Sequence, residues 1–294
     1  MTDTYLERLA ARAAAVGSVL CLGLDPDPGA LPTGFARDVA GIEAFAGLVL
    51  DAALPYAAAV KPNLAFFEAF GSPGIAALER LRSRIPSDVP VVIDAKRADI
   101  GSTAARQAAA LFDGLGADAV TVNPYLGEEA IRPLLDRTDR FAYVLCRTSN
   151  PGATEFQGLA VEADPASGAP AEPLWARVAR RVAGWGTTTA GLVVGATAPE
   201  EMSSVRGIAP GLAFLVPGIG AQGGDVGAVL EHGLATAPPA VGRTGGGLLV
   251  NVSRGIAGAA SDPPAGAGFA PPIDVGERVA AAAADWAARL PVLP

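Results

Sequence analysis

The sequence contains a single histidine, His232, and only two cysteines, Cys21 and Cys146. A Ser–His–Asp triad or a multi-histidine metal site would depend on this one histidine, whose helical surroundings are typical of a surface or helix-end position. Each cysteine lies in an apolar run and no CxxC pair is present, so the pattern indicates core residues rather than a disulfide framework. The absence of a GxxxxGK[ST] loop argues against a P-loop nucleotide site.

Basic charge is also scarce, because Lys and Arg total 22 against 30 Asp and Glu, and the formal net charge is −8. This balance argues against nucleic acid or an anionic membrane as a partner, since both require basic patches. No uninterrupted apolar run reaches the length of a membrane span, and the first twenty residues carry charges at helical spacing, unlike a signal peptide. We therefore expect a cytoplasmic protein with a small-molecule ligand.

Lysine is the scarcest cation, since only Lys61 and Lys96 occur among the 22 basic residues. Each of them closely follows an apolar run. Arginine does not give up its proton in a protein, whereas lysine can. The composition therefore favours a lysine that donates or accepts a proton, and the alternative is a structural ion pair at the end of a strand.

Two carboxylates and a lysine follow an apolar run in the stretch VVIDAKRADIGST, at residues 91–103. Its first three residues are typical of a buried strand, and four charged residues follow, Asp94, Lys96, Arg97 and Asp99. Side chains at i and i+2 of a strand share a face, so the Asp94 carboxylate and the Lys96 ammonium should point to the same side. Ser102 is then a candidate cap for the next helix.

Short apolar runs alternate with helical patterns along the whole chain. The predicted strands are residues 19–24, 57–60, 89–94, 119–122, 142–145, 191–194, 213–216 and 248–252. Their number and rhythm predict a parallel (β/α)8 TIM barrel that forms a single domain over residues 1–294. The alternative, an open doubly wound sheet, is disfavoured because polar residues follow nearly every strand instead of clustering at one switch point.

Helical patterns fill most of the intervals between these strands. They cover residues 4–16, 42–54, the region near 66, 75–84, 103–115, 128–135, 174–185, 199–208, 225–235 and 275–290. The polar, Gly- and Pro-rich stretch at 153–172 predicts a long mobile loop, and loops of this length are usually functional or disordered. A second loop, rich in Pro, Gly and Ala, runs to Pro272.

The carboxyl ends of the strands form one rim in such a barrel, so the polar residues there should face a common pocket. These residues are Asp25, Lys61, Asp94, Lys96, Asn123 and Ser149. The loops after strands seven and eight often bind phosphate. There the sequence PGIGAQGGD (217–225) would bring backbone amides to an anion, and Gln222 and Arg254 would add side-chain donors. A plain turn is the alternative for the glycines.

This alternation of carboxylate and ammonium groups would favour the loss of a substrate carboxylate placed beside Asp94. Two unit charges about 4 Å apart near a protein surface interact by about 4 kcal/mol, so Asp94 would repel a substrate carboxylate. Loss of CO2 would relieve that repulsion, and Lys96 could stabilise and protonate the carbanion. A distant phosphate would supply the binding energy. The residues require no metal and no organic cofactor, so we expect a cofactor-independent lyase.

The segment DAKRADIGST (94–103) resembles the signature of the orotidine 5′-phosphate decarboxylase family, DxKxxDI followed by Gly and Thr. Further matching motifs follow in family order, LGLD at 22–25, KPN at 61–63, RTSNPG at 147–152, PGIGAQGGD at 217–225 and NVSRG at 251–255. The resemblance covers essentially the whole chain, and SNPG with the Pro-rich inserts is similar to the bacterial type 2 branch. It implies conversion of orotidine 5′-phosphate to UMP and CO2, the last step of de novo pyrimidine nucleotide biosynthesis.

The resemblance also implies roles for individual residues. Lys96 would protonate C6 after the carboxylate is lost beside Asp94. Binding roles would fall to Asp25 and Lys61 at the ribose hydroxyls, Ser149 at the pyrimidine, Gln222 and Arg254 at the phosphate, and Asn123 elsewhere on the substrate. Lys61 would also belong to the charged array.

Two residues, Asp99 and Thr103, would reach into the neighbouring subunit's site, so the active unit would be a homodimer. One departure is Ala98, where the family usually has glycine. Alanine is poorly tolerated at positive φ, so the placement of Asp99 depends on the backbone there. We expect Arg97 to form a structural ion pair.

Two other functions remain open at this point. The first is a related phosphate-binding barrel that decarboxylates a sugar phosphate, such as 3-keto-L-gulonate 6-phosphate. Proteins of that group carry the same charged motif but bind magnesium and lack the SNPG contact. The second is a non-catalytic nucleotide-binding protein, which would bind ligand without turnover.

Overall fold

The computed structural model describes residues 3–166, 168–186, 188–220, 222–261 and 274–293. Within them, eight parallel strands form one sheet. The strands are β1 (Leu20–Leu24), β2 (Ala59–Pro62), β3 (Val92–Arg97), β4 (Ala119–Val122), β5 (Phe141–Arg147), β6 (Ala190–Val194), β7 (Phe214–Val216) and β8 (Leu248–Val252). Their order is β2-β1-β8-β7-β6-β5-β4-β3, and the bridges Val60–Val91 and Asn63–Asp94 join the two edges. This nearly closed barrel confirms the predicted (β/α)8 fold.

Helices cover the outside of the barrel. They are α1 (Tyr5–Val16), α2 (Val39–Ala53), α3 (Leu64–Glu68), α4 (Ser72–Ser83), α5 (Gly101–Ala108), α6 (Arg132–Leu135), α7 (Ala153–Gln157), α8 (Leu174–Ala183), α9 (Pro199–Ile208), α10 (Val226–His232), α11 (Arg254–Ala257) and α12 (Val275–Arg289). A π-helical turn, Ala109–Gly114, extends α5. The predicted cap at Ser102 was wrong, because α5 begins at Gly101 and has no side-chain cap.

The strands are apolar on both faces because each face meets a different part of the core. On β1, Leu20 and Leu22 pack in the cluster beneath the helices, whereas Cys21 belongs to a second cluster with residues of the barrel interior. Helix α1 closes the amino-terminal end of this interior, where the Tyr5 ring stacks on Phe141 with ring centroids 4.9 Å apart. This packing leaves the opposite, carboxyl-terminal end of the barrel for a site.

Helix α2 with its 3₁₀ extension, Val39–Tyr56, is long and apolar enough to cross a membrane by length and composition alone. It differs from an uninterrupted apolar run because Glu43 and Asp51 lie within it. Its buried residues, including Ile42 and Leu50, pack in the core cluster of the barrel. The helix therefore has the contacts of a barrel helix, and its apolar character follows from that packing.

The segment predicted as a long loop, residues 153–172, contains regular elements. Helix α7 opens it, and Ala160–Val161 pairs antiparallel with Glu172–Pro173. The buried Glu172 carboxylate accepts hydrogen bonds from Arg177 Nε and Arg180 Nη2, both at 2.8 Å. The polar composition predicts a loop because it does not show that Glu172 pairs with arginines of α8. The loop predicted to run to Pro272 lies mostly outside the described residues.

The scarce residues occupy the predicted environments. Cys21 and Cys146 are buried free thiols, and burial raises the pKa of both to about 12. They are therefore uncharged core residues at neutral pH. His232 ends helix α10, and its backbone carbonyl accepts a hydrogen bond from Arg206.

Candidate active site

A cavity of about 480 Å³ lies at the carboxyl ends of the barrel strands. Its lining includes most of the residues that the sequence analysis singled out, namely Asp25, Lys61, Asp94, Lys96, Ser149, Gln222 and Arg254. They come from strands or loops that are distant in sequence. The prediction that strand-end polar groups converge on one pocket is thus confirmed for these seven residues.

Because side chains alternate between the two faces of a strand, the polar residues deepest in the cavity lie on the face that points into the barrel. Cys21, Ala59 and Ala119 belong to the interior cluster, and the residues two or four positions further along the same strands reach the cavity. Those residues are Asp25, Lys61 and Thr121. Small apolar residues thus fill the barrel below, and polar residues occupy the same face at its open end.

The centre of the site is an ion-pair array around Asp94. Lys61 Nζ lies 2.8 Å from Asp94 Oδ2, and Lys96 Nζ lies 2.6 Å from Asp94 Oδ1. The two lysines differ in environment, because the Lys61 side chain is 5% exposed and that of Lys96 is 52% exposed. One ammonium is therefore enclosed beneath the carboxylate, while the other is accessible at the cavity.

Burial and charge act in opposite directions on this array. Burial by itself would raise the pKa of Asp94, but the ammonium groups of Lys61 and Lys96 outweigh it and hold that pKa well below its usual range. Burial would likewise lower the pKa of Lys61, but Asp94 and then Asp25 outweigh it and raise that pKa. Asp94 and Lys61 are therefore both charged at neutral pH.

Two acceptor atoms in the cavity have no hydrogen-bond partner among the described residues. They are Asp25 Oδ1 at the end of β1 and Asn251 Oδ1 on β8, and both are buried. A buried acceptor without a partner is rare in folded proteins. These two oxygens fit a ligand that carries hydroxyl donors.

The loops after β5, β7 and β8 meet at the other side of the cavity. The Ser149 hydroxyl donates a hydrogen bond to Gln222 Oε1 at 2.9 Å. Gly218 has φ +98°, and a Cβ at this position would lie 2.9 Å from both Gln222 Oε1 and Ser149 Cβ. Arg254 is exposed at the cavity and forms no ion pair with the described part of the chain. This side of the cavity therefore offers donors to an anion.

The prediction that Asn123 faces the pocket was wrong. Asn123 is exposed and does not line the cavity. Its side-chain oxygen accepts a hydrogen bond from Tyr125 N at 3.0 Å and caps the 3₁₀ turn Pro124–Leu126. The chain turns immediately after β4, so the side chain serves that turn.

Asp99 and Thr103 do not line this chain's cavity either. Asp99 Oδ1 accepts a hydrogen bond from Ile100 N, and Thr103 is exposed on α5. Ala98 has no strained backbone, because Lys96 is the only described non-glycine residue at positive φ. The expected structural ion pair of Arg97 is confirmed, with Glu68 as its partner.

The sequence analysis missed two interior polar residues, Thr121 and Asn251. Thr121 Oγ1 lies 2.8 Å from Asp94 Oδ1. Both residues stand within apolar strands, AVTV and LLVNV, which hydropathy alone treats as core. The available signal was their place in the two-residue alternation, which puts them on the interior face near the carboxyl end of the strand.

Comparison with known proteins finds relatives that match most of the chain. The model of the orotidine 5′-phosphate decarboxylase / HUMPS family matches residues 18–268. A curated orotidine 5′-phosphate decarboxylase from Halorubrum lacusprofundi is 49% identical over 255 residues, which cover 86% of this chain and 87% of that protein. Its counterpart from Thermomicrobium roseum is 47% identical over 257 residues, 86% of each chain. The solved structure of Leishmania donovani OMP decarboxylase is 36% identical with a TM-score of 0.77, covering 97% of this chain and 96% of that one.

Proposed function

This chain belongs to the orotidine 5′-phosphate decarboxylase / HUMPS family and is a decarboxylase, and we propose the following substrate and mechanism for it. Its substrate is orotidine 5′-phosphate, its products are UMP and CO2, and Lys96 is the proton donor. The enzyme thereby completes de novo pyrimidine nucleotide biosynthesis. The observation that carries this proposal is the Lys61–Asp94–Lys96 array at the cavity.

The array supports a decarboxylation in which charge repulsion is relieved. Asp94 stays ionised, so a substrate carboxylate beside it is repelled by about 4 kcal/mol at about 4 Å. The bond from C6 to the carboxylate breaks, CO2 leaves, and the electron pair remains on C6. Lys96 Nζ donates its proton to C6 and later regains one from solvent. The Asp94 carboxylate, which Lys61 contacts on its other oxygen, holds the Lys96 ammonium in place before the transfer.

The remaining groups of the cavity bind the non-reacting parts of the substrate. Asp25 and Asn251 accept hydrogen bonds from the ribose hydroxyls, which their unpartnered oxygens support. Ser149 contacts the pyrimidine, and Gln222 and Arg254 hold the phosphate. Binding energy from the ribose and phosphate offsets the repulsion at the reacting carboxylate.

The active unit in this proposal is a homodimer that shares Asp99 and Thr103 across its interface. Exposed apolar side chains beside these residues support it, because Ile100 is 61% exposed and Tyr125 on the neighbouring loop is 86% exposed. Large apolar side chains exposed together are typical of protein interfaces.

Two buried free thiols suit a reducing compartment, so we place the enzyme in the cytoplasm.

The alternative substrate is a sugar phosphate, which the family model by itself also admits. The curated relatives at 47% and 49% identity are orotidine 5′-phosphate decarboxylases, and this favours the nucleotide. A non-catalytic binding protein is disfavoured by the accessible ammonium of Lys96 beside an ionised carboxylate.

We propose that the reaction requires no metal or organic cofactor, because Lys61 and Lys96 supply the positive charge.

The test follows the loss of orotidine 5′-phosphate absorbance with excess chelator present. We expect full turnover with chelator, and Lys96→Ala should reduce kcat by at least about 10³-fold, in the range of general acid catalysis. UMP binding by calorimetry should remain measurable in that variant. Arg132→Ala, which removes an exposed cation outside the cavity, is the control. Absence of turnover by the unaltered chain, or near-normal turnover by Lys96→Ala, would contradict the proposal.

A further inference from the structure

The ladder between β3 and β4 is irregular at the charged array. Ile93 pairs with Val120 and Arg97 pairs with Val122, so three residues of β3 lie opposite the single residue Thr121. Within this bulge Lys96 has φ +48°. A long side chain rarely adopts this left-handed conformation, and it persists only where the surroundings enforce it.

The Thr121 hydroxyl occupies the gap in the ladder. It accepts hydrogen bonds from the backbone N–H groups of Ala95 and Lys96, both at 3.0 Å. It also donates to Asp94 Oδ1 at 2.8 Å. A hydroxyl has one proton to donate and two lone pairs, so this buried group uses its full capacity on three neighbouring residues. The same Asp94 oxygen accepts from Lys96 Nζ.

We propose that Thr121 is a positioning residue for the decarboxylation. Its hydroxyl holds the bulge in which Lys96 is left-handed, and it orients the carboxylate that Lys96 contacts. Because its hydrogen bonds are already committed, the hydroxyl acts through Asp94 and Lys96 and does not itself bind substrate. This inference rests on the proposed function and adds to it the residue that orients the proton donor, Lys96.

The alternative is that Thr121 only fills the core. Thr121→Val separates the two, because valine keeps the shape and removes the hydroxyl, whereas Thr121→Ser keeps the hydroxyl and removes a methyl group. Thr189→Val is the matched control. Thr189 is also buried, and its hydroxyl donates to Leu135 O at 2.6 Å at the amino-terminal end of β6, away from the cavity.

The kinetic test measures kcat and KM for orotidine 5′-phosphate in these variants. We expect Thr121→Val to lower kcat by about 100-fold, as misplacement of a catalytic group does, and to change KM by less than about 3-fold. Thr121→Ser should keep kcat within about 5-fold, and Thr189→Val should leave both constants unchanged. Thr121→Val with kcat within 3-fold of the unaltered chain, or Thr121→Ser as impaired as Thr121→Val, overturns the inference.

A crystallographic test separates this inference from the proposed function, since it needs no turnover. In Thr121→Val we expect Lys96 to leave the left-handed region and its Nζ to lose the contact with Asp94. Unchanged geometry at both residues overturns the inference, whereas an inert unaltered chain overturns only the proposed function. If Thr121→Val does not fold, the same measurements are made on Thr121→Ala. In that variant water can reach the backbone N–H groups of Ala95 and Lys96.

Discussion

Lys61 and Lys96 are the same residue type on either side of one carboxylate, yet their environments differ. Lys61 is enclosed, and the carboxylates of Asp94 and Asp25 keep it protonated against the effect of burial. Lys96 is accessible to a ligand in the cavity. The buried lysine therefore helps to keep Asp94 ionised, and the accessible lysine is the one that we propose as the proton donor.

Asp94→Asn should lower the free energy of unfolding by about 3 kcal/mol at pH 7, because it removes the carboxylate that lies within ion-pair distance of the buried Lys61 ammonium. The native pKa of Asp94 lies below its unfolded value, so its contribution is complete above the usual aspartate range and is lost as pH falls through the native pKa. The difference between the unaltered chain and the variant should therefore shrink with acidification. Chemical denaturation at a series of pH values measures this, and a difference independent of pH would contradict it.

At the scale of elements, the loops after the strands decide what the barrel can bind. Residues 217–220 and 222–225 return towards the loop after β5, where Ser149 contacts Gln222. This contact is possible only because Gly218 adopts φ +98° and presents no Cβ to either partner. The glycine thus permits both the turn and the close approach of the two loops.

Gly218→Ala should raise the KM for orotidine 5′-phosphate by about 10-fold or more, because the new methyl group would displace Gln222 and Ser149 from the substrate. Gly34→Ala is the matched control, since Gly34 has φ +100° and its Cβ would meet nothing within 4 Å. The alanine at position 34 would have the same unfavourable positive φ, but its methyl group would not clash with a neighbouring residue. Steady-state kinetics of both variants measure the effect, and equal KM values would show that the loop contact is unimportant.

At the scale of the whole molecule, two of the implied site residues lie outside the cavity of their own chain. Asp99 and Thr103 are on the segment that leaves β3, beside exposed apolar side chains. In the proposed homodimer they would contribute to the site of a second copy across an isologous interface. The assignment of residues 1–294 to one domain stays a prediction, because part of the chain lies outside the described residues.

Mixing two inactive variants tests the shared site. Equal amounts of Lys96→Ala and Asp99→Ala chains, co-expressed, form heterodimers with one intact site, so about a quarter of all sites should be restored. Lys96→Ala co-expressed with Asp94→Asn is the control, because both changes affect the same chain's array and Asp99 is unaltered. Turnover per site by active-site titration is the measurement. A mixture as inactive as its components would contradict a shared site.

Much of this molecule could be predicted from local pattern. Strands β4 and β8 begin and end at the predicted residues, because apolar runs buried on both faces are bounded by polar residues. Strands β2 and β3 begin and end two and three residues later than predicted, respectively, because backbone pairing includes the charged residues, as at Lys61 opposite Gly23. Asn123 was misplaced because a side chain that follows a strand can cap a turn as readily as face a pocket.

The barrel, the convergence of strand-end side chains and the pairing of a carboxylate with two amines can be predicted from the order of residues, because these follow from periodicity and residue type. Three features are visible only in the folded chain: which lysine is enclosed, where the backbone of β3 bulges, and how Thr121 completes the array. These features depend on distances between strands that the chain brings together from separate segments. No local pattern specifies such distances, since they are set by how the whole barrel closes.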